Sequence, residues 1–354
     1  GGFSFNVMSE KENINYIQNI LGVFLLFLIF IIDFPSGMIG LATGLSILTR
    51  EGGLSLILII LVWLTYLFLK RKNWNYIKRF LLITLTSFLV LNIGYGFKSS
   101  GIYFLSFLPL PVPYLFFNVI VNSLLHSQFG HLAYLFGETS QKGWLHYYLI
   151  VFLMKTPLPL LILTLLGFFN KRVKGKAFLI LPIIIIFLSY SLARVDIGIR
   201  LILPIYPFLF ILASFSFYKS KKSHLLLILV LWYVIETLLS FPFYLSYCNL
   251  LFKDSCYLYI SDSNIDWGQG IYLLGEFSKQ NKVYCGPLFG GLTPNLKCEF
   301  VNCENRENLK NLDGYLAISQ FELFAKKECE WLKGIKPEKT IGYSVLLFDL
   351  KKLV

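Results

Sequence analysis

The feature that most constrains this chain is the way charge punctuates its apolar blocks. Apolar stretches recur near residues 17–32, 36–49, 53–69, 80–96, 146–168, 177–193, 201–217 and 224–245. Between them, the connections 70–79, 171–176 and 219–222 carry five, four and three basic residues and no acidic ones. Residues 1–245 hold 19 basic and 7 acidic residues, whereas 246–354 hold 13 of each. Only 15% of the chain is charged, against about 25% in a soluble domain. That composition excludes a disordered chain, a disulfide miniprotein and an ordinary cytosolic enzyme. Short basic connections between apolar blocks are also the wrong form for a nucleic-acid surface; they match basic loops retained in the cytoplasm.

The expected fold class is therefore a polytopic α-helical membrane protein with a small C-terminal extracytoplasmic α/β domain. Residues 1–16 form an N-terminal fragment. A transmembrane domain over 17–245 has about eight hydrophobic segments and an outward loop at 97–145, and 246–354 form the outer domain. Several segments fall short of the roughly 20 residues that a bilayer requires. With the three basic connections inside, the junction Arg50–Glu51, the loop 97–145, the turn Arg194–Arg200 and the tail all face outward. All six cysteines lie at or beyond Cys248, as expected of an oxidising compartment. Cys298 and Cys303 are candidate partners, and their spacing does not suit zinc. The expected topology is therefore many passes through a membrane, with the tail on the outer side.

The tail reads as alternating helix and strand. The pattern predicts a helix over Gly270–Gln280, then strands at Lys282–Cys285, Cys298–Val301 and Gly314–Ser319. An amphipathic segment follows at Phe321–Leu332, with Phe321, Leu323, Phe324, Cys329 and Leu332 to be buried, and one strand at Thr340–Leu350 ends the pattern. Within the outward loop, the run from Pro111 through Tyr114, Phe116, Phe117, Ile120 and Leu124 predicts a helix lying on the membrane surface.

Polar residues among apolar segments are the candidates for function. Arg50 sits at an outer boundary, and Lys155 lies beside Pro157 and Pro159, where a helix bends or unwinds. Arg194 and Arg200 flank Asp196 in an outward turn, and guanidinium groups suit phosphate oxygens. These four are candidates for phosphate or donor binding, with Arg50 and Arg200 foremost. His131, Tyr134 and Glu138 are candidates for lining a substrate cavity. Each has a plainer structural reading as well.

Several motifs, in order, resemble bacterial phospholipid-carrier-dependent glycosyltransferases of the GT-C fold, alongside protein O-mannosyltransferases and the aminoarabinose transferase acting on lipid A. They are Gly130-His131-Leu132-Ala133-Tyr134-Leu135-Phe136-Gly137-Glu138 with Gly143-Trp144, Tyr147-Tyr148 and Lys155-Thr156-Pro157. Then come Gly198-Ile199-Arg200-Leu201-Ile202-Leu203-Pro204, Asp262-Ser263-Asn264-Ile265-Asp266-Trp267-Gly268-Gln269 and Gly342-Tyr343-Ser344. With the run from Gly40-Leu41 through Leu48-Thr49-Arg50, which resembles the family's glycine-containing helix ending in a basic residue, the set spans about residues 36–350. Departures from the family pattern stand at Leu201 (usually His), Gly270 (usually Asp), Cys248 (usually aromatic) and Arg50 (often Lys).

The resemblance implies transfer of a sugar from a polyprenyl-phosphate donor to a lipid, glycan or protein acceptor at the extracytoplasmic face, with inversion and without a cofactor or metal. It also implies that Asp262, Asn264, Asp266, Trp267 and Gln269 join the outer domain to the membrane domain. The family's catalytic carboxylate belongs to the first outward loop, and no counterpart precedes residue 36; Glu10 and Glu12 lack the setting. The expectation is that this loop lies outside the chain, and the catalytic residue stays unassigned. Competing readings are a secondary transporter, against which no internal repeat is found, and a noncatalytic scaffold for cell-envelope assembly.

Overall fold

The computed structural model describes residues 28–29, 31–49, 51–96, 114–193, 195–253, 255–288 and 296–353. It is mainly helical with a small sheet, and it divides into two compact units, Gly1–Leu125 and His126–Val354.

In the first unit, α1 (Phe34–Thr49), α2 (Leu54–Arg71) and α3 (Asn75–Gly94) follow one another, and α4 begins at Tyr114 and runs to Phe129. Small residues decide how α1 meets α3. A Cβ at Gly40 would lie 2.5 Å from Thr86 Cβ, and one at Gly44 would lie 2.7 Å from Val90 Cβ. With no side chain there, the backbones come close enough for Ser87 Oγ to donate to Gly40 O at 3.0 Å. This is the small-residue crossing that lets apolar helices associate without a hydrophobic gradient.

The second unit opens with a hairpin, β1 (Ala133–Leu135) and β2 (Glu138–Ser140). Next come α5 (Tyr147–Lys155), α6 (Leu158–Phe169), α7 (Ala177–Leu192), α8 (Tyr206–Ser214) and α9 (Ser223–Leu239). The axes of α5 and α6 differ by 111°. Pro157 and Pro159 supply no N–H, so the carbonyls of the preceding turn lose their helical donors. Asn249 satisfies them. Its Nδ2 donates to Leu153 O at 2.7 Å and to Thr156 O at 3.0 Å, and its backbone N–H donates to Met154 O at 2.9 Å.

The tail contributes α10 (Gln269–Ser278), β3 (Val283–Cys285), β4 (Glu299–Phe300), β5 (Tyr315–Ser319), α11 (Gln320–Phe324), β6 (Lys339–Ile341), β7 (Val345–Asp349) and α12 (Leu350–Leu353). Strand order is β4-β3-β5-β7-β6, parallel across β4, β3 and β5 and antiparallel beyond. Side chains alternate across the central strands as the pleat requires. Leu316, Ile318, Leu346 and Phe348 join a core with Phe321, Phe324, Leu332 and Tyr134, while Ala317, Val345 and Leu347 pack with Leu274 of α10.

Several expectations need correction. Of the eight apolar segments, 17–32 lies mostly outside the described residues. Among those described, two helices, α2 and α3, are long and apolar enough to cross a membrane, or three if the bent α5–α6 pair counts as one span. The others are apolar helices of 10–17 residues. The segment 201–217 starts as two 3-10 turns, Ile199–Leu201 and Leu203–Ile205, before α8 begins. Much of the outward loop, 97–113, is also outside the described residues, but the expected helix is present as α4.

In the tail, all five predicted core residues of 321–332 are buried. The segment is nevertheless no single helix. Lys327 and Cys329 adopt φ of 65° and 51°, left-handed values that a right-handed helix cannot accommodate. The expected strand at 340–350 is likewise two strands, because Gly342 and Tyr343 turn with φ of 59° and 58°. Cys298 pairs with Cys285 and Cys303 with Cys329, so the suggested Cys298–Cys303 pairing is wrong; Cys248 pairs with Cys256.

The Asn249 contacts generate a stability prediction. Asn249→Ala bares two buried carbonyl acceptors, so it is expected to destabilise the purified chain by about 2 kcal/mol or more. Denaturant unfolding checks this, and a change of only a few tenths would remove Asn249 from the support of the bend.

Candidate functional site

Three of the quoted motifs meet in one buried polar cluster within the second unit. At its centre is the 3-10 turn Asp262–Asn264. Asn264 uses its whole side chain there. Its Oδ1 accepts from the Ile199 backbone N–H at 3.0 Å, and its Nδ2 donates to Tyr147 Oη at 2.9 Å and Ser261 O at 3.2 Å. Gly198 makes that approach possible: with φ of 117°, a Cβ there would meet Asn264 Oδ1 at 2.9 Å and Ser263 Oγ at 3.0 Å. A side chain would push the 198–200 turn away.

Lys155, the last residue of α5, is buried. Its Nζ donates to Leu245 O at 2.7 Å and to Asn264 O. The structure therefore places this lysine as a tie between the helix break, the chain beyond α9 and the 262–264 turn.

Arg200 differs. Its guanidinium carbon lies 5.0 Å from the centroid of the Trp267 ring, a cation–π distance. Its Nε is buried and has no hydrogen-bond partner among the described residues. Asp262 Oδ2 stands 3.6 Å from His131 Nδ1, and the Asp262 carboxyl is pushed upward in pKa by burial, opposed by His131, the Ser263 N–H and Arg200. Ser263 Oγ and Asp196 Oδ1 are also buried without hydrogen-bond partners among the described residues. The cluster thus contains a donor and acceptors without partners among the described residues, an arrangement that a bound polar group would satisfy.

Asp196 forms the edge nearest β2. Its Oδ2 accepts from the Trp144 backbone N–H at 2.7 Å, and a Cβ on Gly143 would collide with its carboxylate. Burial pushes its carboxyl up to about 6, and the Trp144 hydrogen bond only partly opposes this. Neither the spacing nor the charge pattern of 194–200 had singled out this role; the glycine preceding Trp144 was the available signal.

The remaining candidates separate. His131 belongs to the cluster. Tyr134 is not a cavity residue: it is buried in the tail's core, its hydroxyl donates to Leu258 O at 2.9 Å, and burial pushes its pKa up to about 12. Glu138 is exposed on β2, opposite Leu135. Arg50 and Arg194 lie outside the described residues. Asp266 binds the Gly268 N–H at 2.9 Å and the Ser319 hydroxyl at 2.7 Å, which seats the turn on β5. Gln269 Oε1 accepts from the Trp267 N–H at 2.7 Å. Both residues thus bond within the tail, Asp266 across to β5 and Gln269 inside its own turn, while Trp267 is half exposed under Arg200.

No family model, curated protein or solved structure matches the chain.

The raised carboxyls have a definite pH consequence. A folded-state pKa near 6 against an ordinary 3.8 means that the folded state holds its proton more tightly than the unfolded chain. Ionisation then opposes folding, so this contribution to stability falls as pH rises from about 4 and is fully lost above about 6. Asp196→Asn keeps an acceptor for Trp144 and removes the titration. Its stability relative to the parent chain is expected to increase across pH 4–6 and then level off. Thermal unfolding at several pH values checks this; a difference independent of pH would contradict it.

Proposed function

We propose that the chain belongs to a membrane-embedded glycosyltransferase of the GT-C kind, which moves a sugar from a polyprenyl-phosphate donor to an acceptor at the extracytoplasmic face of the bacterial cytoplasmic membrane. The observation that carries this reading is the convergence of three resembling motifs, more than 100 residues apart at the extremes, on a cluster whose Arg200 Nε has no partner among the described residues. A polytopic arrangement is favoured by the helix surfaces. Ile59 is the only buried residue of α2, and Leu226 the only one of α9, although apolar residues predominate in both helices. Helices of that kind need an apolar surrounding. Three disulfides confined to the tail suit an outer, oxidising location.

In the proposed reaction an acceptor hydroxyl attacks the anomeric carbon. The bond from that carbon to the phosphate oxygen breaks, its electron pair leaves with polyprenyl phosphate, and the hydroxyl proton passes to a general base. That base is the carboxylate which the resemblance assigns to an earlier outward loop, and no residue of this chain is put in its place. Arg200 stabilises the charge growing on the departing phosphate, a contribution larger in the transition state than in the bound substrate. His131 and Asp262 border the same space. Lys155, with two backbone partners, serves as a positioning residue. Arg50 and Arg194 remain part of the proposal as further cations.

The test uses the full-length protein with defined lipid-linked sugars and mass analysis of the products. Arg200→Ala is expected to lower transfer by about 100-fold while the unfolding midpoint stays unchanged, and Arg200→Lys is expected to recover part of the rate. Transfer undiminished in Arg200→Ala removes Arg200 from the mechanism. Movement of substrate across vesicles with no covalent product would favour the transporter.

A further inference from the structure

Two cavities adjoin where the chain leaves α9 and meets the β6–β7 turn, and Ser246, Lys253 and Tyr343 line both. They contain none of the residues of the Arg200 cluster. One, of about 150 Å³, is walled mainly by Trp232, Ile235, Leu239, Phe243 and Leu250. The other, of about 220 Å³, is bordered by Lys253, Lys336 and Lys339 together with Glu338. Glu338 does not cancel these lysines, because its Oε2 is engaged by Lys352 Nζ at 2.6 Å. Lys339 is held over the Phe277 ring, 5.3 Å from its centroid. An apolar chamber therefore opens beside a cationic one.

Glu236 gives the pair a direction. It is the acid on the apolar wall; its Oε1 accepts from Tyr247 Oη at 2.6 Å, and its Oε2 is buried without a hydrogen-bond partner among the described residues. A carboxyl there disfavours an anionic group in the apolar chamber and offers an acceptor to a ligand hydroxyl. Ammonium groups on the other side attract phosphate oxygens.

We propose that the two chambers hold one anionic glycerophospholipid of the surrounding bilayer, with an acyl chain along Trp232, Leu239 and Leu250 and its phosphate among Lys253, Lys336 and Lys339. The site anchors the tail to the membrane surface beside the end of α9. The proposal rests on the membrane location proposed above but not on sugar transfer, so loss of lipid binding and loss of transfer are separate results.

The test is native mass spectrometry of the full chain with dihexanoyl-phosphatidylglycerol, dihexanoyl-phosphatidylcholine and inorganic phosphate. Phosphatidylglycerol is expected to bind at least 10-fold more tightly than phosphatidylcholine. The triple variant K253E/K336E/K339E is expected to lose that preference, as is the milder K253Q/K336Q/K339Q if charge reversal lowers the unfolding midpoint. Ser240→Phe, which fills the apolar chamber, is expected to weaken both lipids. Equal affinity for the two lipids, an unchanged preference in the lysine-to-glutamine variant, or displacement of the lipid by equimolar inorganic phosphate would each overturn the proposal.

Discussion

The Asn264 amide is the contact on which the second unit depends. A buried primary amide must have its donors and acceptor met, or it opposes folding. Here one partner comes from the 198–200 turn, one from α5 and one from its own turn, while the backbone carbonyl of Asn264 accepts from the Lys155 ammonium. Both ends of α5 and the 198–200 turn are thereby fixed to a single residue. The sheet follows, because Asp266, two residues on, holds Ser319 at the end of β5.

The same satisfaction argument explains the bend between α5 and α6. Two prolines remove N–H groups, and Asn249 restores partners to the exposed carbonyls. Cys248, adjacent to Asn249, is tied to Cys256 and so holds the capping residue beside the break. The bend in turn sets Lys155 at the end of its helix. Lys155 and Arg200 differ in placement: Lys155 donates to two backbone carbonyls, whereas Arg200 lies over the Trp267 ring with its Nε unbonded among the described residues. Of the two, Arg200 is the group able to respond to a ligand's charge.

Much of the fold was legible because periodicity reports burial. Short apolar runs at 315–319 and 345–349 marked the central strands, and the spacing at 321–332 marked its buried face correctly. The broken helix at Pro157 was equally visible. What periodicity does not carry is backbone handedness, so the turns at Lys327, Cys329 and Tyr343 were missed. The small-residue pair Gly40 and Gly44 was not singled out, although glycines four apart in an apolar helix signal close packing.

By itself the amino-acid sequence determined the apolar helices, their basic connections, the α/β character of the tail and the residues that carry the polar cluster, since local propensity and hydrophobic pattern are properties of neighbouring residues. Only the tertiary structure decided which cysteines pair, that Tyr134 is core, that Lys155 is a tie, and that Arg200 keeps an unpaired donor. Each of those depends on groups distant along the chain reaching hydrogen-bond or van der Waals distance, and no one-dimensional pattern contains that separation.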